Sequence, residues 1–181
     1  AWQLGIGCGG MVRILLQPVH ADNDYLKLDE LNRFLEQGQK VEYHQQIDAG
    51  LPLNRVRPLV DKTQSIAANT QTQGVVSTFV QQLSPAPLLA VFGAGVDAKP
   101  VVAIAAELGW QVLLVDPRVG YAKSEFFIKA SQIIRQPFDQ LPSASWLSQL
   151  DVALVLTHNI KLDAAALKLV QSSSAKYVGE C

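Results

Sequence analysis

Sulfur is nearly missing from this sequence: two cysteines, Cys8 and Cys181, and one methionine stand among 181 residues. Two thiols so far apart in sequence make no disulfide framework, and Cys8, His20 and Cys181 lack zinc-site spacing. Histidine is scarce too, with three. Neither sign of charge dominates: 15 Lys and Arg stand against 16 Asp and Glu, with a pI of about 6.3. No basic face is offered to nucleic acid or to an anionic membrane surface. No apolar run approaches the roughly 20 residues that cross a bilayer, and no basic start leads into an apolar signal segment. Neither a Gly-x-Ser-x-Gly elbow nor a Walker loop is present. A reducing, cytoplasmic setting is the expectation that fits the thiol content.

What the chain does have is apolar mass. Hydrophobic residues make up 49% and charged residues 17%, enough for a sizeable core and against disorder. The length suits one comfortable domain, or one domain plus part of a second. "SPAP", residues 84–87, is the clearest punctuation. It places a boundary between a region 1–83 and a region 84–181.

Before that boundary, "MVRILLQPV" (11–19) reads as a strand, and Asp22–Gln39 as a helix capped by Asp22 or Asn23 and ended by Gly38. "KVEYHQQID" reads as a strand, "VRPLV" as a short one, "TQTQG" as a turn or exposed loop, and Val75–Leu83 as a strand or short helix. After it, apolar strands alternate with helices. "LLAVFGAG", "WQVLLVD", "SQIIRQP", "DVALVLTHN" and "AKYVG" predict five strands. "DAKPVVAIAAELG" predicts a helix facing inward through Val101, Ile104, Ala105 and Leu108, and "LDAAALKLVQ" another. The expected class is α/β: a Rossmann-like parallel sheet domain preceded by a partial, smaller α+β domain.

Three segments carry candidate chemistry. Gly93-Ala94-Gly95-Val96-Asp97-Ala98 follows a strand and opens a helix, the context of a dinucleotide fingerprint. Gly93 serves the tight turn, Gly95 lets a phosphate approach, and Ala98 allows close packing. Asp116 ends the next strand, where an acid bonds a ribose hydroxyl, and Arg118 is placed to pair with a phosphate. Asp97 lies on the phosphate's approach, where it opposes an anion or caps the helix, with Lys99 as an offset. Thr157 and His158 end a later strand at the same sheet edge. His158 contacts ligand there as donor or acid/base, or the turn only caps a helix; Asp163 caps or orients His158. The third segment is "LGIGCGG", in which Cys8 stands beside Gly9 and Gly10: an accessible thiol in flexible backbone, or a small buried hydrophobe. His20 and His44 read as surface positions, and Trp2, Trp110 and Trp146 as packing residues.

Together and in this order, the segments resemble the XdhC/CoxI family, maturation factors of xanthine and carbon monoxide dehydrogenases. "LGIGCGGMVRILLQPV" is similar to the end of that family's N-terminal domain. "LLAVFGAGVDAKPVVAIAAELGWQVLLVDPR" and "VALVLTHNIKLDAAALKLV" followed by "AKYVG" are similar to its Rossmann-type domain. The resemblance implies a chaperone rather than a self-contained catalyst. Such a protein binds the molybdenum cofactor (molybdopterin), supports its sulfuration beside a cysteine desulfurase, and delivers it to a xanthine dehydrogenase-type apoenzyme. It makes Cys8, with Gly9 and Gly10, a candidate contact with the cofactor. It also makes the crevice of Gly93, Gly95, Asp97, Asp116, Arg118, Thr157 and His158 a candidate seat for the phosphate or nucleotide end. The family's earlier glycine-rich cysteine motif and its extension after "YVG" are not in this sequence, and Val96 stands where the family often has histidine. A truncated member is therefore expected. Gly93-x-Gly95 and Asp116 keep an NAD(P)-dependent oxidoreductase open, and with it a regulatory nucleotide-binding module. A homodimer also stays open.

Overall fold

The computed structural model describes residues 14–47, 53–59, 69–73 and 76–180. The chain divides into two units, Ala1–Pro85 and Ala86–Cys181.

The first unit is built on a four-stranded antiparallel sheet. Its strands are β1 (Val41–Gln46), β2 (Arg55–Pro58), β3 (Asn69–Gln73) and β4 (Val76–Leu83), in the order β2-β1-β4-β3. β3 corrects the loop expected at "TQTQG": its polar residues pair with β4 from Asn69↔Val80 to Gln73↔Val76. The strand expected at 11–19 is absent from its described part, since 14–20 carry no regular structure. There Gln17 donates instead to the carbonyl of Gln46. His44 is also better covered than a surface position: its side chain is 14% exposed and meets Glu42 at 3.1 Å.

The helix expected from Asp22 is shorter. Only α1 (Leu28–Glu36) is α-helical, and Lys27, not Asp22 or Asn23, stands at its N-cap. Asp24, Tyr25, Leu26 and Lys27 are left-handed, with φ between 49° and 61°. Each costs about 1–2 kcal/mol for a residue with a Cβ, so the turn needs partners outside itself. Buried Asn23 donates to the Pro18 carbonyl at 2.6 Å and accepts from the His20 amide at 3.2 Å. Tyr43 on β1 donates its hydroxyl to the Leu26 carbonyl at 2.7 Å, and Asn54 donates to that hydroxyl at 2.8 Å. These distant groups decide a conformation that local pattern assigns to a helix.

Burial pushes the Tyr43 hydroxyl upward, and the hydrogen bond from Asn54 only partly opposes it. The folded chain therefore keeps this proton to higher pH than the unfolded chain. The resulting stability is complete below the ordinary tyrosine value of about 10 and is lost as pH climbs beyond it. Tyr43→Phe should cost about 1–2 kcal/mol at neutral pH and should flatten the alkaline decline. Denaturant unfolding from neutral pH to about pH 11 checks this, and an equal decline in both proteins would count against it.

The second unit is a parallel sheet with helices on both faces. Its elements are β5 (Leu88–Phe92), α2 (Ala98–Glu107), β6 (Gln111–Val115), β7 (Gln132–Ile134), β8 (Val152–Val155), α3 (Ile160–Val170) and β9 (Tyr177–Glu180). The order is β7-β6-β5-β8-β9, and every pairing is parallel. β5 is central and buried throughout. Its residues alternate between two cores, as period-two side chains must. Leu88, Ala90 and Phe92 pack with Leu113, Val115, Val155 and α3 through Ala166 and Leu169. Phe92 meets Phe138 edge to face, with ring centres 5.4 Å apart. Leu89 and Val91 pack with Val112, Leu114 and α2 on the other face.

α2 turns inward only part of the stripe its sequence predicts: Ala105 is buried and Val101 packs against the same core, as expected. Ala98, Val102 and Ala105 are buried, whereas Ile104 and Leu108 are 61% and 66% exposed. Small Ala98 brings the first turn against the sheet, and the buried face then follows at i+4 and i+7. Gly109 ends the helix at φ 77°, the usual glycine terminus. Among the described residues no helix is long and apolar enough to cross a membrane.

Candidate functional site

Strand order reverses at β5. The chain runs outward through β6 and β7, then returns to place β8 on the other flank. Beyond the carboxyl ends of β5 and β8 such sheets leave a crevice. The turn from β5 into α2, the end of β6 and the end of β8 all arrive there. They bring Gly93, Gly95, Asp97, Asp116, Arg118, Thr157 and His158 to one sheet edge.

Gly93 is held by its neighbours. Its amide donates to the Val115 carbonyl at 2.9 Å, and its φ is 109°. A Cβ there would lie 2.3 Å from the Leu156 carbonyl oxygen. Close approach of β8's end therefore demands glycine, whatever the crevice holds. At Gly95 the crowding atom is different: a Cβ would meet Asp97 Oδ1 at 2.5 Å. Ala98 is fully buried in the α2 core, the small-residue packing expected of the third position.

Asp116 is also fully buried. Oδ2 accepts from the Ala94 amide at 2.7 Å and from Arg118 Nη2 at 2.8 Å. Oδ1 accepts from the Arg118 amide at 2.9 Å and from Arg118 Nε at 3.0 Å. Two bonds at each oxygen fill the carboxylate's usual acceptor positions. In this conformation Asp116 braces the glycine turn and orients Arg118, and it offers no free oxygen to a ribose. Arg118 in turn donates through Nη1 to the Thr157 carbonyl at 3.0 Å and stacks 3.9 Å above the Tyr121 ring. One guanidinium thus ties the end of β6 to the end of β8, across β5. Its hydrogen bonds to Asp116 hold it above the usual arginine range, outweighing partial burial.

His158 is left-handed at φ 52°, a conformation that non-glycine residues seldom take. Both of its neighbours are anchored. Buried Thr157 donates its hydroxyl to buried Asp163 on α3. Asn159 caps α3, its side chain accepting from the amides of Lys161 and Leu162. So Asp163 neither caps α3 nor orients His158; it holds Thr157, whose side chain is turned toward α3. His158 is oriented by Asp97, with Nε2 donating to Oδ2 at 2.8 Å. Asp97 makes no side-chain cap to α2. The Lys99 ammonium lies over the Phe126 ring at 4.3 Å.

Tyr121 escaped sequence reasoning, whereas Asn159 closes the Thr157–Asn159 turn, whose reading as a helix cap the structure bears out for α3. Asn159 had a readable signal, an Asn directly before an apolar-periodic helix; Tyr121, in an irregular stretch, had none. Cys8, Gly9 and Gly10 lie outside the described residues. Among the described residues, no cluster of three His, Cys, Asp or Glu could hold a metal ion.

The family model described as the XdhC Rossmann domain matches residues 89–180. The chain is 26% identical, over 191 aligned residues, to a probable xanthine dehydrogenase subunit from Bacillus subtilis (strain 168). That alignment takes in 99% of this chain and 58% of that protein, so the chain spans little more than half its relative's length. In fold it is similar to a xanthine dehydrogenase from Bacillus halodurans solved by crystallography. The TM-score is 0.70 at 20% identity, covering 91% of this chain and 54% of that one. The matched residues run from Leu89, the second residue of β5, to the end of β9 and include every crevice residue of the second unit: this chain belongs to the XdhC family.

Proposed function

We propose that this protein is a maturation factor for a xanthine dehydrogenase-type molybdenum hydroxylase. It binds the molybdenum cofactor, supports its sulfuration beside a cysteine desulfurase, and hands it to the apoenzyme. The observation that carries this reading is family membership across the crevice-bearing unit. The names of both relatives, each called a xanthine dehydrogenase or a subunit of one, give it its target class.

When bound, the cofactor supplies a pterin ring, a phosphate and a soft, sulfur-ligated metal. The chain's own part is to hold and shield it. The crevice receives the ring or phosphate end. The Cys8 segment offers a thiol suited to a soft metal. Arg118, held by Asp116, ties together the two strand ends that border the crevice.

A dinucleotide-dependent oxidoreductase is less well supported. The acid that would grip a ribose has its oxygens filled, and a carboxylate covers the glycine that a pyrophosphate would approach.

Reconstitution tests the proposal. Apoenzyme, molybdenum cofactor, cysteine desulfurase and cysteine are mixed with and without the full-length protein. Faster appearance of sulfurated, active hydroxylase is expected with the protein present, and Cys8→Ala should retain cofactor less well. An unchanged activation rate would refute the maturation role.

A further inference from the structure

The glycine turn contains an anion of its own. Asp97 Oδ1 lies 2.5 Å from where a Gly95 side chain would begin, so the carboxylate occupies the open face that glycine leaves. In a diphosphate-binding turn that face admits the ligand's phosphate. Here a phosphate meets a fixed negative charge, and the positive end of α2 is already answered by Asp97. Arg118 is matched by Asp116, and Lys99 faces Phe126.

A carboxylate in a ligand crevice attracts N–H donors, best as a parallel pair. Asp97 can take such a pair. Its side chain is 36% exposed, and that of its partner His158 is 58% exposed. Water screens an exposed pair of this kind, so an incoming donor displaces or shares it readily. His158, fixed by anchored neighbours on both sides, aims Asp97.

We infer that Asp97 is the specificity-determining residue of this crevice: it receives the paired N–H and NH2 donors of an aminopyrimidinone edge and turns a diphosphate away. The inference rests on the reading of the crevice as the ligand site. A pterin and a guanine share that edge; adenine lacks it. The cofactor's pterin would then lie toward the glycine turn, with its phosphate directed elsewhere.

The test is a set of binding titrations on the full-length protein with 6-hydroxymethylpterin, guanosine and ADP, for wild type, Asp97→Asn and Asp97→Glu. Wild type should bind the pterin or guanosine more tightly than ADP, and the better of the two identifies the source of the edge. Asp97→Asn, which replaces one acceptor with a donor, should weaken that ligand roughly tenfold or more and tighten ADP. Asp97→Glu should restore part of the loss. Unchanged thermal unfolding of both variants would place the effect in binding, as a half-buried residue without a capping bond allows. Equal binding of the edge by wild type and Asp97→Asn would overturn the inference, and so would ADP as the preferred ligand of wild type. A parallel measurement of whole-cofactor retention separates the two claims. Retention that survives Asp97→Asn contradicts the inference alone, whereas no retention by wild type contradicts the proposed function.

Discussion

Gly93→Ala is expected to destabilise the Rossmann unit more than any other single methyl added to it. The new Cβ would lie 2.3 Å from Leu156 O, 2.5 Å from Leu156 C and 2.8 Å from Thr157 N, all backbone atoms within the β8-to-α3 connection. No rotamer can relieve such a contact. The residue must also hold φ 109°, which alanine scarcely populates. Strain of about 1–3 kcal/mol from the dihedral alone, plus displacement of β8's end from β5, gives a loss on the order of 4 kcal/mol. In a unit of this size that lowers the melting temperature by roughly 15 °C or more. Gly109→Ala is the control: its φ is also positive, but nothing lies within 4 Å of the new atom, so about 1 kcal/mol is expected. Scanning calorimetry of both variants checks the pair. Equal small shifts would show that the β5–β8 approach is looser than described.

Asp116→Ala comes second, and it separates two roles that sequence alone confounds. An acid at the end of this strand can bind a ribose, and its loss would then lower ligand affinity with little change in stability. The buried carboxylate instead joins the glycine turn to Arg118. Removing it strands a partly buried guanidinium and a buried amide, a loss of about 3–5 kcal/mol. Arg118→Ala should be similarly costly, since it leaves the Asp116 carboxylate fully buried without a counter-charge, held only by two backbone amides. The double variant should lose clearly less than the two single losses added together, because neither charge is then orphaned. Chemical denaturation of the three variants measures this. Additive losses would mean that the two side chains act independently.

Much of the second unit can be read directly from its sequence, because its strands are continuous apolar runs and its helices carry clear starts and stops. "LLAVF" and "VLLV" must be buried on both faces, and that requirement alone calls for a covered parallel sheet. The register of α2 is a different matter. Val101, Ile104, Ala105 and Leu108 form a plausible stripe by hydrophobicity, but only Val101 and Ala105 reach the core. Close packing at Ala98 rotates the inward face away from Ile104 and Leu108, and smallness weighs little in a hydrophobic pattern.

The first unit resists sequence reading because its decisive contacts are distant. The left-handed turn at Asp24–Lys27 depends on Tyr43, 17 residues beyond Leu26, and on Asn54 behind it. β3 is polar, and its side of the sheet is fixed by pairing with β4 rather than by any alternation of its own.

The site shows the same division. That Gly93, Asp116 and His158 share one sheet edge follows from the strand–helix alternation. That Asp97 meets His158 across 61 residues does not, nor does the filling of Asp116's oxygens. Motif position identified the right neighbourhood. Which acid faces ligand and which braces the fold depended on three dimensions.

The most direct test is calorimetric titration of the full-length protein with molybdenum cofactor and, separately, with NADH. A maturation factor should bind the cofactor and bind NADH far more weakly, with no hydride transfer to any carbonyl substrate offered. Tight NADH binding with hydride transfer, and no uptake of the cofactor, would contradict that role.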